Sequence, residues 1–271
     1  MTSMDILEEA KAKACCADLY QSELARMIMG DSIHPGGLTL TNQMGRLMGI
    51  QPGDWVADLA SARGNSAVAV SRVFKCNVVG VEFGREAALE SHTAAINARL
   101  AERSHNVQGD AETPPLRAGR FDSAFCECAM SLFQNKARAV AETVNLLKPG
   151  GRFGLSDVTV EPNCLPPEID GTLGQLLCLT DASTVQGYVE LMEASGLKML
   201  HQVDASIEGI KILAALEAKL EAFTAWQKMT GQQGPDPEML ERGPELLATL
   251  RGLIQEGRLG YWIFVAEKPT T

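Results

Sequence analysis

The chain has 271 residues, of which 45% are hydrophobic and 21% charged, a composition that excludes collagen-like, low-complexity and disordered proteins. Lys and Arg number 24 against 34 Asp and Glu, and the resulting net charge of −10 disfavours nucleic acid as a partner. The sequence shows no apolar run as long as a membrane helix and no signal peptide. We therefore expect a cytoplasmic protein with no membrane association.

From residue 54 to about residue 157, short apolar runs alternate with longer helical stretches, a pattern typical of a parallel sheet wrapped by helices. Strands are predicted at 54–60, 76–82, 105–109, 121–127, 151–157, 197–204 and 259–268. Helices are predicted near 65–74, 85–102, 135–147, 168–179 and 184–195, and twice within 206–257 around a break at 231–237. The pattern predicts an α/β fold with an open, doubly wound, mostly parallel seven-stranded sheet.

Four segments follow from this order. We expect a helical cap at 1–53, an α/β core at 54–204, a helical insertion or lid at 205–258, and a closing antiparallel strand at 259–271. The cap and the insertion are predicted to cover the strand ends and to close the site against water.

The first turn between a strand and a helix runs from Asp58 to Gly64 and reads DLASARG. In an open α/β sheet, ligands bind beyond the carboxyl ends of the strands, next to such a turn. A dinucleotide fingerprint needs G-x-G-x-x-G, and this turn holds a single glycine, so a nicotinamide or flavin cofactor is disfavoured. The form D-x-A-x-A-x-G instead resembles the D-x-G-x-G-x-G turn of class I S-adenosylmethionine-dependent methyltransferases.

Further residues resemble that family in the same order. Glu82 ends the second predicted strand, GDAETPPL follows the third, FDSAFCECAM holds the fourth, and LLKPGGRFGLSD leads into the fifth. The resemblance implies a Rossmann-like methyltransferase whose cofactor is S-adenosyl-L-methionine. It also implies a set of cofactor-binding residues: Asp58, Ala60, Ser61, Gly64, Ser66, Glu82, Phe83, Asp110, Ala111, Glu112, Glu127 and Cys128. Read one at a time, Gly64 could equally be a plain turn glycine and Asp110 a helix N-cap.

Seven cysteines without a secretory pattern suit a reduced cytosol, where their thiols stay free. The segment after KPGG, with LLCLTDA and YVELMEASGL, resembles the arsenite methyltransferases. On that resemblance, Cys178 together with Cys15 or Cys16 would be catalytic and would hold As(III), whose lone pair attacks the methyl group. His34, in the break GDSIHPGG, is a further candidate for contacting the acceptor. A thiol reductant is a candidate partner, and no resident metal is predicted.

Two alternatives remain open at this point. The enzyme could methylate a small organic oxygen, nitrogen, carbon or sulfur acceptor, with structural cysteines, or the chain could be a thiol-based sensor that binds the cofactor without turnover. Cys126 and Cys128 are predicted to share one face of the fourth strand, because side chains two residues apart do so. Cys126 is assigned to core packing, and Cys128 to either packing or the pocket. Glu127 is predicted to point the opposite way, either towards the methionine part of the cofactor or into a hydrogen bond with the cap.

Overall fold

The computed structural model of the protein describes residues 34–169, 174, 177–230 and 237–270. Seven helices were delimited in this part of the chain: α1 Gly37–Leu47, α2 Asn65–Phe74, α3 Arg85–Asn97, α4 Lys136–Leu146, α5 Val185–Ala194, α6 Ser206–Thr230 and α7 Pro237–Gln255. The strands are β1 Trp55–Leu59, β2 Asn77–Glu82, β3 Ser104–Gln108, β4 Phe121–Glu127, β5 Leu147–Val160, β6 Lys198–Asp204 and β7 Leu259–Glu267.

The strands form one seven-stranded sheet in the order β3-β2-β1-β4-β5-β7-β6. The pairs among β1 to β5 are parallel, whereas β7 runs antiparallel to both β5 and β6. This arrangement confirms the predicted open, mostly parallel sheet with its antiparallel closing strand. The chain leaves β1 towards β2 and β3 and later returns to β4 on the other side of β1. Ligands of doubly wound folds bind in the crevice at such a point.

Both faces of the sheet are covered, which is why the central strands read as nearly continuous apolar runs. One buried cluster packs residues of α1, α2, α6 and α7 against the sheet, and the other packs α4 and α5 against the opposite face. Phe125 of β4 belongs to the first cluster, and its neighbour Cys126 belongs to the second. The predicted helical insertion corresponds to α6 and α7, which pack on each other and on β7.

The observed elements depart from the predicted ones mainly at the edges of the site. β5 begins at Leu147, directly after α4, and reaches Val160, several residues beyond each end of the predicted strand. In the segment predicted as a helix at 168–179, the described residues show a short 3-10 turn at Pro167–Ile169, a helical residue at Gly174 and a turn at 177–178. The first part of the predicted cap, with Cys15 and Cys16, lies outside the described residues. Among the described helices, none combines the length and the apolar character that a membrane crossing requires.

Helix α1 packs directly over Gly154 in the middle of β5. A Cβ atom at Gly154 would lie 2.6 Å from the Sδ atom of Met48 and 3.0 Å from the Cγ atom of Met44. Gly154 pairs with Phe125 on one side and Val265 on the other, so the sheet cannot shift to make room. The missing side chain therefore sets how closely α1 approaches the sheet.

We expect Gly154→Val to lower the free energy of unfolding by about 1–3 kcal/mol, the usual cost of overpacking a core. Gly252→Ala in α7 is the control, because a Cβ atom there has nothing within 4 Å. The control should stabilise the protein by about 0.5–1 kcal/mol, as alanine does within a helix. Urea unfolding of the three proteins measures both effects, and a stability equal to wild type for Gly154→Val would contradict the close packing.

Candidate active site

The turn after β1 adopts the backbone path of a glycine-rich loop with only one glycine. Ala60 has a φ of 58°, Ala62 a φ of 45° and Gly64 a φ of 75°, all in the left-handed region. For an alanine this conformation costs roughly 1 kcal/mol, whereas glycine adopts it freely. A side chain at Gly64 would collide with Ser91 of α3. The turn thus follows the path of a glycine-rich loop although two of its three left-handed positions carry alanine.

Two of the predicted cofactor residues are buried against neighbouring parts of the sheet. Ser61 donates its backbone N–H to the carbonyl of Val81 at 3.0 Å. Its hydroxyl lies so close to Gly80 that a Cβ atom there would stand 2.6 Å from the Oγ atom. Ala111 is buried in the cluster on the α4 side. Ser61 thus fixes the turn to β2, and Ala111 contributes to the core.

Glu82, at the end of β2, joins the turn to the beginning of α3. Its Oε2 atom accepts the N–H of Ala62 at 2.9 Å, and its Oε1 atom accepts the N–H of Gly84 at 2.7 Å. Burial raises the pKa of the Glu82 carboxyl, and the hydrogen bonds from backbone N–H groups partly counter that shift. Phe83, the adjacent residue, accepts a bond at its carbonyl from the Gln108 amide at 3.2 Å.

The two acidic residues after β3, Asp110 and Glu112, form hydrogen bonds with other groups of the protein. The N–H of Glu112 donates to the Oδ1 atom of Asp110 at 2.8 Å. The buried Glu112 carboxylate accepts the N–H groups of Gln134 and Asn135, each at 3.0 Å, and the Arg138 guanidinium at 3.3 Å. Glu112 thereby ties this loop to the start of α4, so a contact between Glu112 and the cofactor stays a prediction.

Glu127, at the carboxyl end of β4, collects polar groups from three other parts of the chain. The Thr41 hydroxyl of α1 donates to its Oε1 atom at 2.9 Å, and the Ser66 hydroxyl of α2 donates to its Oε2 atom at 2.5 Å. The Nε2 atom of His34 lies 3.5 Å from the same Oε2 atom. The structure therefore brings together three predicted site residues, Glu127, Ser66 and His34. Thr41 was missed, because nothing in its local sequence distinguishes it from other helical threonines.

Asp58, Glu82 and Glu127 place three carboxyl groups at neighbouring strand ends. Asp58 is 3% exposed, and its Oδ2 atom has no hydrogen-bond partner within the described part of the chain. Burial raises the pKa of Asp58 well above its usual value, and the charges of Glu127 and then Glu82 raise it further. A cationic ligand would relieve this repulsion. S-adenosylmethionine, with its sulfonium and ammonium groups, fits such a site.

The two cysteines of β4 do not share a face, contrary to prediction. Cys126 packs in the cluster of α4 and α5, whereas Cys128 packs in the cluster of α1, where its Sγ atom lies 3.4 Å from that of Cys178. The reason is that β4 ends at Glu127 and Cys128 has a φ of 51°, which breaks the two-residue alternation. Within the described ranges, no group of three or more His, Cys, Asp or Glu side chains could hold a metal ion.

Comparison with known proteins agrees with this geometry. Residues 57–155 match the family described as methyltransferase domain. The (+)-O-methylkolavelool synthase of Herpetosiphon aurantiacus is 26% identical over 210 residues, which are 72% of this chain and 74% of that protein.

Solved structures of methyltransferases share the fold. Phosphoethanolamine N-methyltransferase 2 of Haemonchus contortus, in complex with S-adenosyl-L-methionine, superimposes with a TM-score of 0.74 at 17% identity, covering 94% of this chain and 60% of that one. Geranyl diphosphate C-methyltransferase of Streptomyces coelicolor, with S-adenosyl-L-homocysteine, gives a TM-score of 0.64 at 17% identity and covers 90% and 88%. These structures show the shared fold, and the family match and the sequence relatives support an S-adenosylmethionine-dependent methyltransferase.

The carboxylate cluster makes cofactor affinity depend on pH. A proton on Asp58 or Glu82 competes with a cation, so lowering the pH towards their raised pKa values should weaken S-adenosylmethionine binding. S-adenosylhomocysteine lacks the sulfonium charge and serves as the matched control ligand. We expect the dissociation constant of S-adenosylmethionine, measured by calorimetry at a series of decreasing pH values, to rise more steeply on acidification than that of the control. Equal slopes would contradict the electrostatic role of the cluster.

Proposed function

We propose that this class I S-adenosylmethionine-dependent methyltransferase transfers its methyl group to a hydroxyl oxygen of a small organic acceptor, with the His34–Glu127 pair receiving the proton. The observation that carries the proposal is the buried contact of the His34 imidazole with the Glu127 carboxylate at the carboxyl end of β4, with His34 and Glu127 side chains 9% and 5% exposed. The pair lies beside the cofactor turn, because Ser66 in the first turn of α2 bonds to the same carboxylate.

The bound cofactor supplies an electrophilic methyl carbon, to which the acceptor oxygen forms a bond as the carbon–sulfur bond breaks and its electrons return to sulfur. An alcohol or phenol is a weak nucleophile until its proton is removed, so a base within hydrogen-bond reach is needed. The Nδ1 atom of His34 lies 3.3 Å from the Pro35 carbonyl, which can only accept a hydrogen bond. This contact favours the tautomer with a proton on Nδ1 and a free lone pair on Nε2.

In this proposal Glu127 stabilises the positive charge that His34 acquires when it takes the proton of the acceptor. At 3.5 Å, its Oε2 atom is farther from Nε2 than a direct hydrogen bond requires, which leaves Nε2 able to take the acceptor's proton. The nearby negative charge stabilises the imidazolium that results. Hydrogen bonds from Thr41 and Ser66 hold the carboxylate in this position. Burial of the pair excludes water, which strengthens the interaction between the two charges.

The relatives are consistent with an organic acceptor. The name of the Herpetosiphon relative records an O-methylated product, and the Streptomyces enzyme with the same fold was solved with geranyl diphosphate. A hydroxyl acceptor is consistent with the O-methylated product of the Herpetosiphon relative. Methylation of a hydroxyl requires a base, which His34 provides in this proposal.

His34→Asn should lower kcat for a hydroxyl acceptor about 100-fold or more, the range that a general base contributes. The dissociation constant of S-adenosylmethionine should stay within about twofold of wild type, because the proposed role of His34 concerns the acceptor. His92→Asn, on the exposed face of α3, is the matched control and should keep full activity. The assay follows S-adenosylhomocysteine formation across a panel of small alcohols and phenols. Full activity of His34→Asn on every hydroxyl acceptor that wild type methylates would refute the role of His34.

A second candidate acceptor is a soft, thiolate-bound species such as As(III), as the resemblance to arsenite methyltransferases implied. The observation in its favour is the contact between the Cys128 and Cys178 thiols, since two neighbouring thiolates bind thiophilic species and reject hard cations. Cys15 and Cys16, the other predicted ligands, lie outside the described residues. In this case the lone pair of the acceptor would need no base, and His34 would not be required.

Arsenite with S-adenosylmethionine and glutathione tests the second candidate. If it holds, methylated arsenic should appear by mass spectrometry and fall at least 100-fold in Cys178→Ser, because the variant removes one of two ligands. Cys164→Ser, a partly exposed thiol that contacts the Arg258 carbonyl, is the control and should keep the activity. If wild type produces no methylated arsenic but does methylate a hydroxyl acceptor, As(III) is excluded as the acceptor.

A further inference from the structure

Cys128 and Cys178 are 50 residues apart in the chain and meet at the end of β4. Their Sγ atoms are 3.4 Å apart, and the Cys178 thiol also lies 3.2 Å from the Cys128 carbonyl. Both side chains are buried, at 8% and 1% exposed. The contact joins the residue after Glu127 to the segment between β5 and α5.

The backbone at both cysteines is in an uncommon conformation. Cys128 has a φ of 51° and Cys178 a φ of 60°, where a residue with a side chain is disfavoured. Three other non-glycine residues outside the cofactor turn share this conformation within the described ranges, but Cys128 and Cys178 have it on both sides of one sulfur–sulfur contact. Conformational outliers of this kind concentrate at functional positions.

We propose that Cys128 and Cys178 are a redox modification site that forms a reversible disulfide in the folded enzyme, latching the 177–182 segment to the end of β4. A disulfide places the sulfur atoms about 2.05 Å apart, so the pair must close by little more than 1 Å. Because Cys128 directly follows Glu127, the disulfide would lie at the edge of the candidate active site.

The chemistry requires a two-electron oxidant of the thiol-specific kind, for which diamide, an azo compound, is the probe. One thiol adds across the nitrogen–nitrogen double bond, with its proton moving to the second nitrogen. The other thiol attacks the sulfur, forms the sulfur–sulfur bond and expels the hydrazine, which carries away the second proton. Two thiols are thus oxidised by two electrons and the azo group is reduced. Diamide is preferred to peroxide because the chain has 11 methionines that peroxide would also oxidise.

The remaining described cysteines are placed differently. Cys126 packs in the cluster on the opposite side of the sheet, and the Cys76 thiol lies against the Val70 carbonyl within the core. Cys164 lies against the Arg258 carbonyl. None of these three described thiols makes the sulfur–sulfur contact that Cys128 and Cys178 share.

Trypsin sets up a direct test, because Cys128 and Cys178 fall in different peptides, 121–136 and 153–198. These peptides also contain Cys126 and Cys164, so Cys126→Ala and Cys164→Ala are combined as the background in which a link can have only one origin. The folded protein is treated with diamide, remaining thiols are alkylated, and the digest is analysed by mass spectrometry. The same background with Cys128→Ser is the matched control.

We expect a linked pair of peptides that dithiothreitol separates, and a melting temperature that rises by several degrees, since the bond closes a long loop in the unfolded chain. The control should show neither. If both peptides carry only alkylated thiols after diamide has oxidised a reference dithiol, the proposal is wrong. Should the background fold poorly, fragmentation of the linked peptides from wild type locates the bond, and a link through Cys126 or Cys164 would equally overturn it.

Discussion

The confinement of negative charge at the carboxyl edge of the sheet governs the rest of the site. Asp58, Glu82 and Glu127 lie at or next to the carboxyl ends of three adjacent strands, and each carboxyl group is buried where a charge is costly without a partner. The chain offsets part of that cost locally, since backbone N–H groups bond Glu82 and hydroxyls bond Glu127. Asp58 is left with an unsatisfied oxygen atom. A cationic cofactor completes this arrangement, so its binding energy comes in part from repulsion already present in the protein.

The position of Glu127 depends in turn on how closely α1 can approach the sheet. Gly154 allows Met44 and Met48 to pack directly over β5, and this brings Thr41, on the same helix, within hydrogen-bond distance of Glu127. His34 precedes α1 and is carried to the same carboxylate. The close packing of α1 over Gly154 and the hydrogen bond from Thr41 to Glu127 are thus made by the same helix. Helix α1 therefore links the packing over β5 to the hydrogen bonds of the Glu127 carboxylate.

The parts of the molecule that the sequence predicts well are those with a local cause. Strands β1, β2 and β4 are apolar runs buried on both faces, and their predicted bounds differ from the observed ones by a residue at most. Glu82 was predicted from the resemblance to class I methyltransferases, and it ends β2 as expected. Glu112 occupies the expected position but bonds to the start of α4, a contact between segments about twenty residues apart that no local pattern encodes.

The contacts that sequence patterns could not supply all depend on backbone conformation or on packing at a distance. The alternation of a strand predicted that Cys126 and Cys128 point the same way, and a single left-handed residue at the strand end reverses this. The same conformation at Ala60 and Ala62 lets an alanine-containing turn follow a path that glycine usually provides. Each such residue costs roughly 1 kcal/mol, which a core of this size can bear. Three further non-glycine residues in the described part of the chain share this conformation. At the cofactor turn and at the paired thiols it also sets the direction of the chain, and with it what a ligand or a second sulfur can reach.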